Sequence, residues 1–399
     1  MAMGAQDNDR GDAQDLDLVP LLVIVREWTR LGCTGFGGPP AHIALLRKMC
    51  VEQHGWMTAV EFEDATATTN LLPGPASTQL AIFCAWKLRG PLGALLGGLC
   101  FIVPGLLIIL GLSAVVLAKH PPLFVLAGAT GAGAVAPAVA LSTSLGLAAS
   151  SRQRMGTTRP QRLRFFLYAG LGLAVAASSS PLLVLAIVAC GLFEIFLRRA
   201  RALKAPKTLQ SWLPVLGAPL VGVGGLSALA WVALKVGALS YGGGFVIIPM
   251  MQHDAVSVFH WMTAAQFLNA VALGQVTPGP VVQTVAVVGY AAHGVGGGLL
   301  ASAIAFTPSF LFVLIGARHF QAIRTNPTVG AFLTGAGPTV IGAIAGAVVP
   351  LALGLSHLWQ IPVLCGAVLW LMVARRGVVS CFAFGALAGV ICQLFGLSL

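Results

Sequence analysis

A chain of 399 residues that is 57% hydrophobic and only 9% charged is not an ordinary soluble domain, in which about a quarter of residues are charged. The formal net charge of +11 would suggest nucleic acid in a soluble protein, but here the basic residues gather in short segments between apolar runs, the pattern of cytoplasmic loops, and nucleic acid is excluded as a partner. No Asp, Glu, Lys or Arg occurs from Ala255 to Ala317, and residues 91–118, 122–151 and 325–374 are uncharged as well. Apolar stretches beyond about 18 residues mark membrane helices, so the class is a polytopic, all-α membrane protein whose first partner is the lipid bilayer.

In chain order, residues 1–17 form an acidic tail carrying Asp7, Asp9, Asp12, Asp15 and Asp17, the opposite of a signal-peptide start, and read as disordered and cytoplasmic. An apolar helix then leads into an aromatic-Gly-Gly motif at Phe36-Gly37-Gly38, followed by an amphipathic piece over 41–53. Helices are expected over 60–72 and 76–88, on either side of Pro73-Gly74-Pro75. Two long spans follow, 91–118 and 123–151, and a shorter pair closes the set, 165–177 and 182–197. The same plan returns with an amphipathic piece at 246–258, helices at 264–276 and 281–292 around Pro278-Gly279-Pro280, spans at 296–317 and 329–355, and a closing pair at 360–374 and 378–395.

The return is an internal repeat. Trp56-Met57-Thr58-Ala59 recurs as Trp261-Met262-Thr263-Ala264, 205 positions on (261 − 56), and at that offset Phe36-Gly37-Gly38 meets Tyr241-Gly242-Gly243 and the two Pro-Gly-Pro turns coincide. One residue is lost later, after which Pro104 meets Pro308 and Gly131-Ala132-Gly133 meets Gly335-Ala336-Gly337. The chain therefore divides into the tail 1–17, a first homologous half 18–200, a basic cytoplasmic linker 201–212 and a second half 213–399. Basic clusters at Arg152, Arg154, Arg159, Arg162 and Arg164 and at Arg198, Arg199, Arg201, Lys204 and Lys207 place 165–197 as a hairpin that enters and returns, with the tip 178–181 outside. The matching tip of the second half carries Arg375 and Arg376, and Lys87 and Arg89 match an uncharged stretch around His293; the loop at Lys119 runs mildly against this alternation. Basic positions that alternate between copies predict an inverted repeat, the design of secondary transporters.

The glycine motifs and Pro-Gly-Pro turns are the expected substrate site. Glycine lets backbone approach a ligand, proline stops a helix, and broken backbone at membrane depth survives only where protein or a cavity surrounds it. A helix restarting after a break offers free N–H groups and partial positive charge to an anion. The candidates are Gly37, Gly38, Gly74, Gly243, Gly244 and Gly279, with Ser77, Thr78, Gln79, Gln283 and Thr284 in the first turns after the prolines. Isolated glycines more often serve close helix packing, but breaks repeated in both halves favour a site. Lys235, alone in an apolar helix, is either a substrate contact or a snorkelling cation, and Arg30 is its equivalent. His42, at a half-helix start, is a ligand or proton-carrier candidate, although a lone histidine is commonly structural. Asp254 and the adjacent His253 are the further proton-coupling candidates. Glu194 precedes Arg198 by four residues, the spacing of an ordinary helix ion pair.

No acid follows Asp254, which disfavours a cation carrier. The eight cysteines lack metal or redox spacing, and neither a phosphate-binding loop nor a hydrolase motif occurs, so no cofactor, metal or enzyme is expected.

The segments FGGPPAHIALL (36–46), LLPGPASTQLAI (71–82), SYGGGFV (240–246) and GQVTPGPVVQT (274–284) are long and specific, and they resemble the chromate ion transporter family in its long, two-domain bacterial form. The resemblance covers nearly the whole chain. It implies export of chromate from the bacterial cytoplasm, chromate resistance, an inner-membrane location and opposed halves, with the glycine and Pro-Gly-Pro motifs as the functional positions. One departure is Gln79, where family members often have an acid; proton coupling through that position would be lost here. Chromate is a tetrahedral dianion close to sulfate, so sulfate is the competing substrate. A passive anion channel would need a continuous polar lining, which these apolar spans do not offer, and a membrane-embedded enzyme or assembly subunit is the third reading, disfavoured by the missing catalytic constellation. A second copy of the chain is a candidate partner.

Overall fold

The computed structural model describes residues 19–70, 72–155, 159–178, 182–202, 225–240, 244, 246–317, 322 and 325–396, and every regular element among them is helical. The first half opens with α1 (Leu21–Thr34), which breaks at residues 35–37 and continues as α2 (Gly38–Arg47), widening into a π-turn over Lys48–Gln53. α3 (Ala59–Thr69) is started by a capping box: the Thr58 hydroxyl accepts from the Glu61 N–H while the Glu61 carboxylate accepts from the Thr58 N–H. After the first Pro-Gly-Pro comes α4 (Ala76–Val116), then α5 (Leu123–Gly133), α6 (Ala136–Met155), α7 (Arg159–Ala177) and α8 (Leu183–Ala202).

The second half repeats the plan. α9 (Leu226–Leu239) is followed by α10 (Ile247–Gln252) with a π-turn over His253–Val258. α11 (Ala264–Val276) has the same capping box, built from Thr263 and Gln266. A 3-10 turn, Val281–Gln283, leads into α12 (Thr284–Gly316), and α13 (Pro327–Gly346), α14 (Val348–Leu353), α15 (Gln360–Val368) and α16 (Val378–Leu394) complete the chain. α4 and α12 are each bent at one point, Arg89-Gly90 and His293-Gly294, where the glycines take φ of +59° and +61°. Each therefore has a short arm and a long arm, 76–88 with 91–116 and 284–292 with 295–316.

The spans expected over 123–151 and 329–355 are interrupted rather than continuous. Pro137 has no N–H for the Gly133 carbonyl, and α5 ends at Gly133; Pro350 has none for Gly346, where α13 ends.

Two helical hairpins make up the front of the first half. Lys87 Nζ, at the end of the short arm, lies 2.5 Å from Glu61 Oε1 at the start of α3, so both ends share one face and Pro73-Gly74-Pro75 is the tip between them. Trp28 of α1 stacks at 6.2 Å on Trp56, beyond α2, and Arg47 approaches Glu63 at 3.6 Å, which brings the base of the α1–α2 hairpin to that face too. The Trp28 indole donates to the Ala81 carbonyl at 2.9 Å and pins α1 to the short arm.

The halves are inverted. A β-carbon on Gly98 would meet Phe310, and one on Gly298 would meet Leu110, so the equivalent long arms run antiparallel. Two equivalent spans that pack antiparallel are related by a two-fold axis perpendicular to them, the relation of an inverted repeat. Packing is also exchanged between halves: α5 packs on α16, and α13 on α7 and α8. Small residues permit the approach, with Gly131 against Gly385 and Gly389, and Gly342 against the Ala169 backbone. Glu194, buried in α8, takes two bonds from Arg164 at 3.0 and 2.9 Å and one from Tyr168 at 3.1 Å, as well as the expected Arg198 at 3.4 Å, so it staples α7 to α8. Among the described residues, four segments are long and apolar enough to cross a membrane: Ala76–Val116, Leu123–Ala148, Val281–Gly316 and Pro327–Leu353. Leu92, Leu95, Leu99, Val103 and Leu107 form an exposed apolar stripe at helical spacing along one of them, a face suited to lipid.

Candidate substrate-binding site

Breaks from both halves converge. The Gly279 N–H donates to the Gly35 carbonyl at 2.9 Å, joining the second Pro-Gly-Pro to the first glycine motif. A β-carbon on Gly38 would lie 3.5 Å from Val281, and one on Gly244 would lie 3.5 Å from Val282. Gly37, Gly38, Gly74, Gly244 and Gly279 all have positive φ, between +72° and +116°, which is why glycine occupies the tips.

In the first half, α2 after Gly37 and α4 after Pro75 both start here without a side-chain cap. At α4 the Ala76 and Ser77 N–H groups have no partner within the helix; at α2 Pro39 and Pro40 have no N–H, so only Gly38 offers one, and both starts carry the positive end of a helix dipole. Ser77, in the first turn of α4, is tied to His42 of α2, with Oγ 3.2 Å from Nδ1. His42 Nε2 lies 2.9 Å from the Gly35 carbonyl, and the ring packs edge-on to Phe101. A carbonyl can only accept, so Nε2 carries the hydrogen; in the neutral ring Nδ1 then accepts from the Ser77 hydroxyl.

Five polar atoms around these tips are fully buried and have no hydrogen-bond partner among the described residues: Thr78 Oγ1, Gln79 Oε1, Ser240 Oγ, Gln283 Oε1 and Ser309 Oγ. Such groups are expensive to bury unpaired, and they concentrate where the backbone is broken. The two glutamines use their Nε2 atoms, Gln79 donating to the Pro73 carbonyl at 2.6 Å and Gln283 to Ile102 of the other half at 2.7 Å. Thr284 is committed to the Val281 carbonyl at 2.9 Å. None of these residues is charged. Hydroxyls, backbone N–H groups and helix N-termini are a donor set for an oxyanion. A separate cleft of 490 Å³ between α8 and α13 reaches Leu72 and Pro73, but its walls are apolar apart from Thr328 and cannot solvate a dianion.

Of the residues expected from the sequence, Gly37, Gly38, His42, Gly74, Ser77, Thr78, Gln79, Gly244, Gly279, Gln283 and Thr284 stand at or beside the converging breaks. Gly243 lies outside the described residues. Lys235, Asp254 and His253 stand apart from the tips: Lys235 bonds Asp254 at 2.5 Å between α9 and the π-turn, beside Trp231, and His253 is half-buried. Ser240 and Ser309 were not singled out from the sequence; Ser240 closes α9, and Ser309 follows a proline at a position whose equivalent is Gly105.

An inverted, duplicated bundle of membrane helices whose broken ends meet at a polar, uncharged centre is the architecture of a secondary transporter. The chromate transporter family profile matches residues 22–195 and 227–391, and the chain belongs to that family. It is 32% identical over 340 residues to the chromate transport protein of Cupriavidus metallidurans, covering 82% of each chain. It is 31% identical over 337 residues to the chromate transport protein of Pseudomonas aeruginosa, covering 81% of this chain and 79% of that one, and 28% identical over 345 residues to the probable chromate transport protein of Synechococcus elongatus, covering 85% and 86%. No solved structure matches the chain. Its family and its apolar spans make it a multi-pass protein of the inner membrane.

Proposed function

We propose that this protein carries chromate out of the bacterial cytoplasm and so confers chromate resistance, by alternating access of the two halves around the converging breaks. The observation that carries the reading is the set of buried, unpartnered hydroxyls beside two uncapped helix starts, in a chain whose relatives are named for chromate transport. The antiparallel long arms support the mechanism, since rocking of inverted halves exposes a central site to each side in turn. Neutral donors suit a tetrahedral dianion without trapping it as a cluster of cations would. His42 is the proton-carrier candidate: a proton on Nδ1 would stop it accepting from Ser77 and free that hydroxyl hydrogen to turn toward an anion.

Sulfate is the second substrate to weigh, because hydroxyl and backbone donors read shape and charge, in which the two ions are alike. Chromate flux into proteoliposomes of the purified protein, with and without a pH gradient and with sulfate on either side, separates these readings. Flux that follows the gradient supports a proton-coupled carrier, flux stimulated by trans sulfate supports exchange, and no flux from folded protein overturns the transport reading.

A further inference from the structure

Positions 105 and 309 are repeat equivalents, each following a proline, Pro104 or Pro308, in a long arm. In the first half the residue has to be small. A β-carbon on Gly105 would collide with the Pro278 carbonyl and stand 2.6 Å from Gln283 Oε1. That closeness is what lets Gln283 reach across to the Ile102 carbonyl. In the second half the position is Ser309, and its Oγ stands 3.3 Å from where a β-carbon on Gly74 would be. The equivalent glutamine does not cross; Gln79 donates to Pro73 of its own turn instead. The two-fold relation is therefore broken at this point. Ser309 Oγ and the Gln79 carboxamide lie beside Gly74, Thr78 precedes Gln79 in the first turn of α4, and all three residues are 0% exposed, with Ser309 Oγ, Gln79 Oε1 and Thr78 Oγ1 lacking a partner among the described residues.

A hydroxyl in helix interior normally bonds back to a carbonyl one turn earlier, as Ser113 does to Ile109 at 2.6 Å in the long arm of α4. Ser309 makes no such bond, so its hydrogen is free to be donated at the Gly74 turn, next to the start of α4.

We propose that Ser309 is a substrate-binding residue: with Thr78 it donates to a tetrahedral oxyanion held against the Gly74 turn and the α4 N-terminus, so that the second half completes the binding site at the tip of the first. The assignment rests on the transport reading above and names the residue by which that site is asymmetric.

The test compares wild type with Ser309→Ala, Ser309→Gly (the residue found at the equivalent position) and Ser113→Ala as a buried-serine control, all as full chains in proteoliposomes. Chromate KM, maximal rate and Tm are measured. Both Ser309 variants should raise KM about tenfold or more, the scale of one hydrogen bond to a charged group, while the Tm of Ser309→Ala stays level or rises because no protein bond is lost and that of Ser309→Gly falls slightly from glycine in a helix interior. Ser113→Ala should lower Tm and leave KM unchanged. An unchanged KM in both Ser309 variants overturns the assignment, whatever happens to Tm. If wild type carries no chromate, the transport reading fails, and thermal shift with sulfate and molybdate decides the site alone. A shift in wild type that is weakened in Ser309→Ala keeps the assignment, and no shift, or an equal one, overturns it.

Discussion

Lys235 Nζ lies 2.5 Å from Asp254 Oδ2, joining α9 to the π-turn after α10. Their repeat equivalents are Arg30 and Met49, so the acid that pairs with the cation in the second half has no counterpart at that position in the first. Arg30 instead lines a cleft of 220 Å³ with Glu27, Thr34, Lys48 and Gln53. Two copies of one hairpin have thus diverged in charge, and the pairing satisfies Lys235 without a substrate.

Removing one partner of that pair should be worse than removing both. Lys235→Met leaves a nearly buried carboxylate without its cation and should destabilise by up to about 3 kcal/mol, while Lys235→Met with Asp254→Leu should recover most of the loss. Melting temperatures of the three purified proteins check this. A Lys235→Met variant with unchanged Tm and raised chromate KM would reverse the interpretation and make Lys235 a substrate contact.

The glycines of the breaks are separable by what surrounds them. Gly90→Ala meets nothing within 4 Å and should show only backbone strain, about 1–3 kcal/mol, because φ +59° with ψ −149° is a region kept almost entirely by glycine. Gly279→Ala adds contacts with Gln283 at 3.4 Å and beyond, an ordinary distance, so its cost should be similar. Gly74→Ala drives a methyl into Gln79 Nε2 and breaks the bond to Pro73, so it should cost clearly more and abolish transport. The ranking of Tm and flux across the three is the measurement, and equal losses would refute the packing account.

His42 gives a pH test that does not depend on stability. His42→Gln cannot cycle a proton, so uptake that follows a pH gradient in wild type should lose that dependence, with chromate still able to bind. Equal gradient dependence in both proteins would remove His42 from the coupling path and leave Asp254 and His253 as the remaining candidates.

Much of this was legible because the chain is written twice. Trp56-Met57-Thr58-Ala59 and its copy fix the repeat register, and the register carries the capping boxes of Thr58 and Thr263 and both tips with it. Pro73, Pro278 and their glycines announce the breaks because no uninterrupted helix accommodates them. What periodicity cannot convey is contact between distant segments. Arg164 reaching Glu194 and α5 packing on α16 depend on the closed bundle. Ser309 was invisible for the same reason: a serine after a proline in an apolar helix means nothing until Gly74 is seen opposite it.

The Glu61–Lys87 pair at the base of the first hairpin gives a second, opposite use of pH. The hydrogen bond from Lys87, then that from the Thr58 N–H, hold the Glu61 carboxyl below its ordinary value of 4.5. A lowered carboxylate contributes stability that is complete above the ordinary value and is lost as the pH falls through the lowered one. At neutral pH the contribution is therefore fully present, and because Glu61 is half exposed it should amount to less than about 1 kcal/mol. Lys87→Met should melt slightly below wild type at neutral pH, and the gap should close only in acid below 4.5. A gap that persists in acid would mean that Lys87 stabilises the hairpin through its aliphatic packing, with the charge contributing nothing.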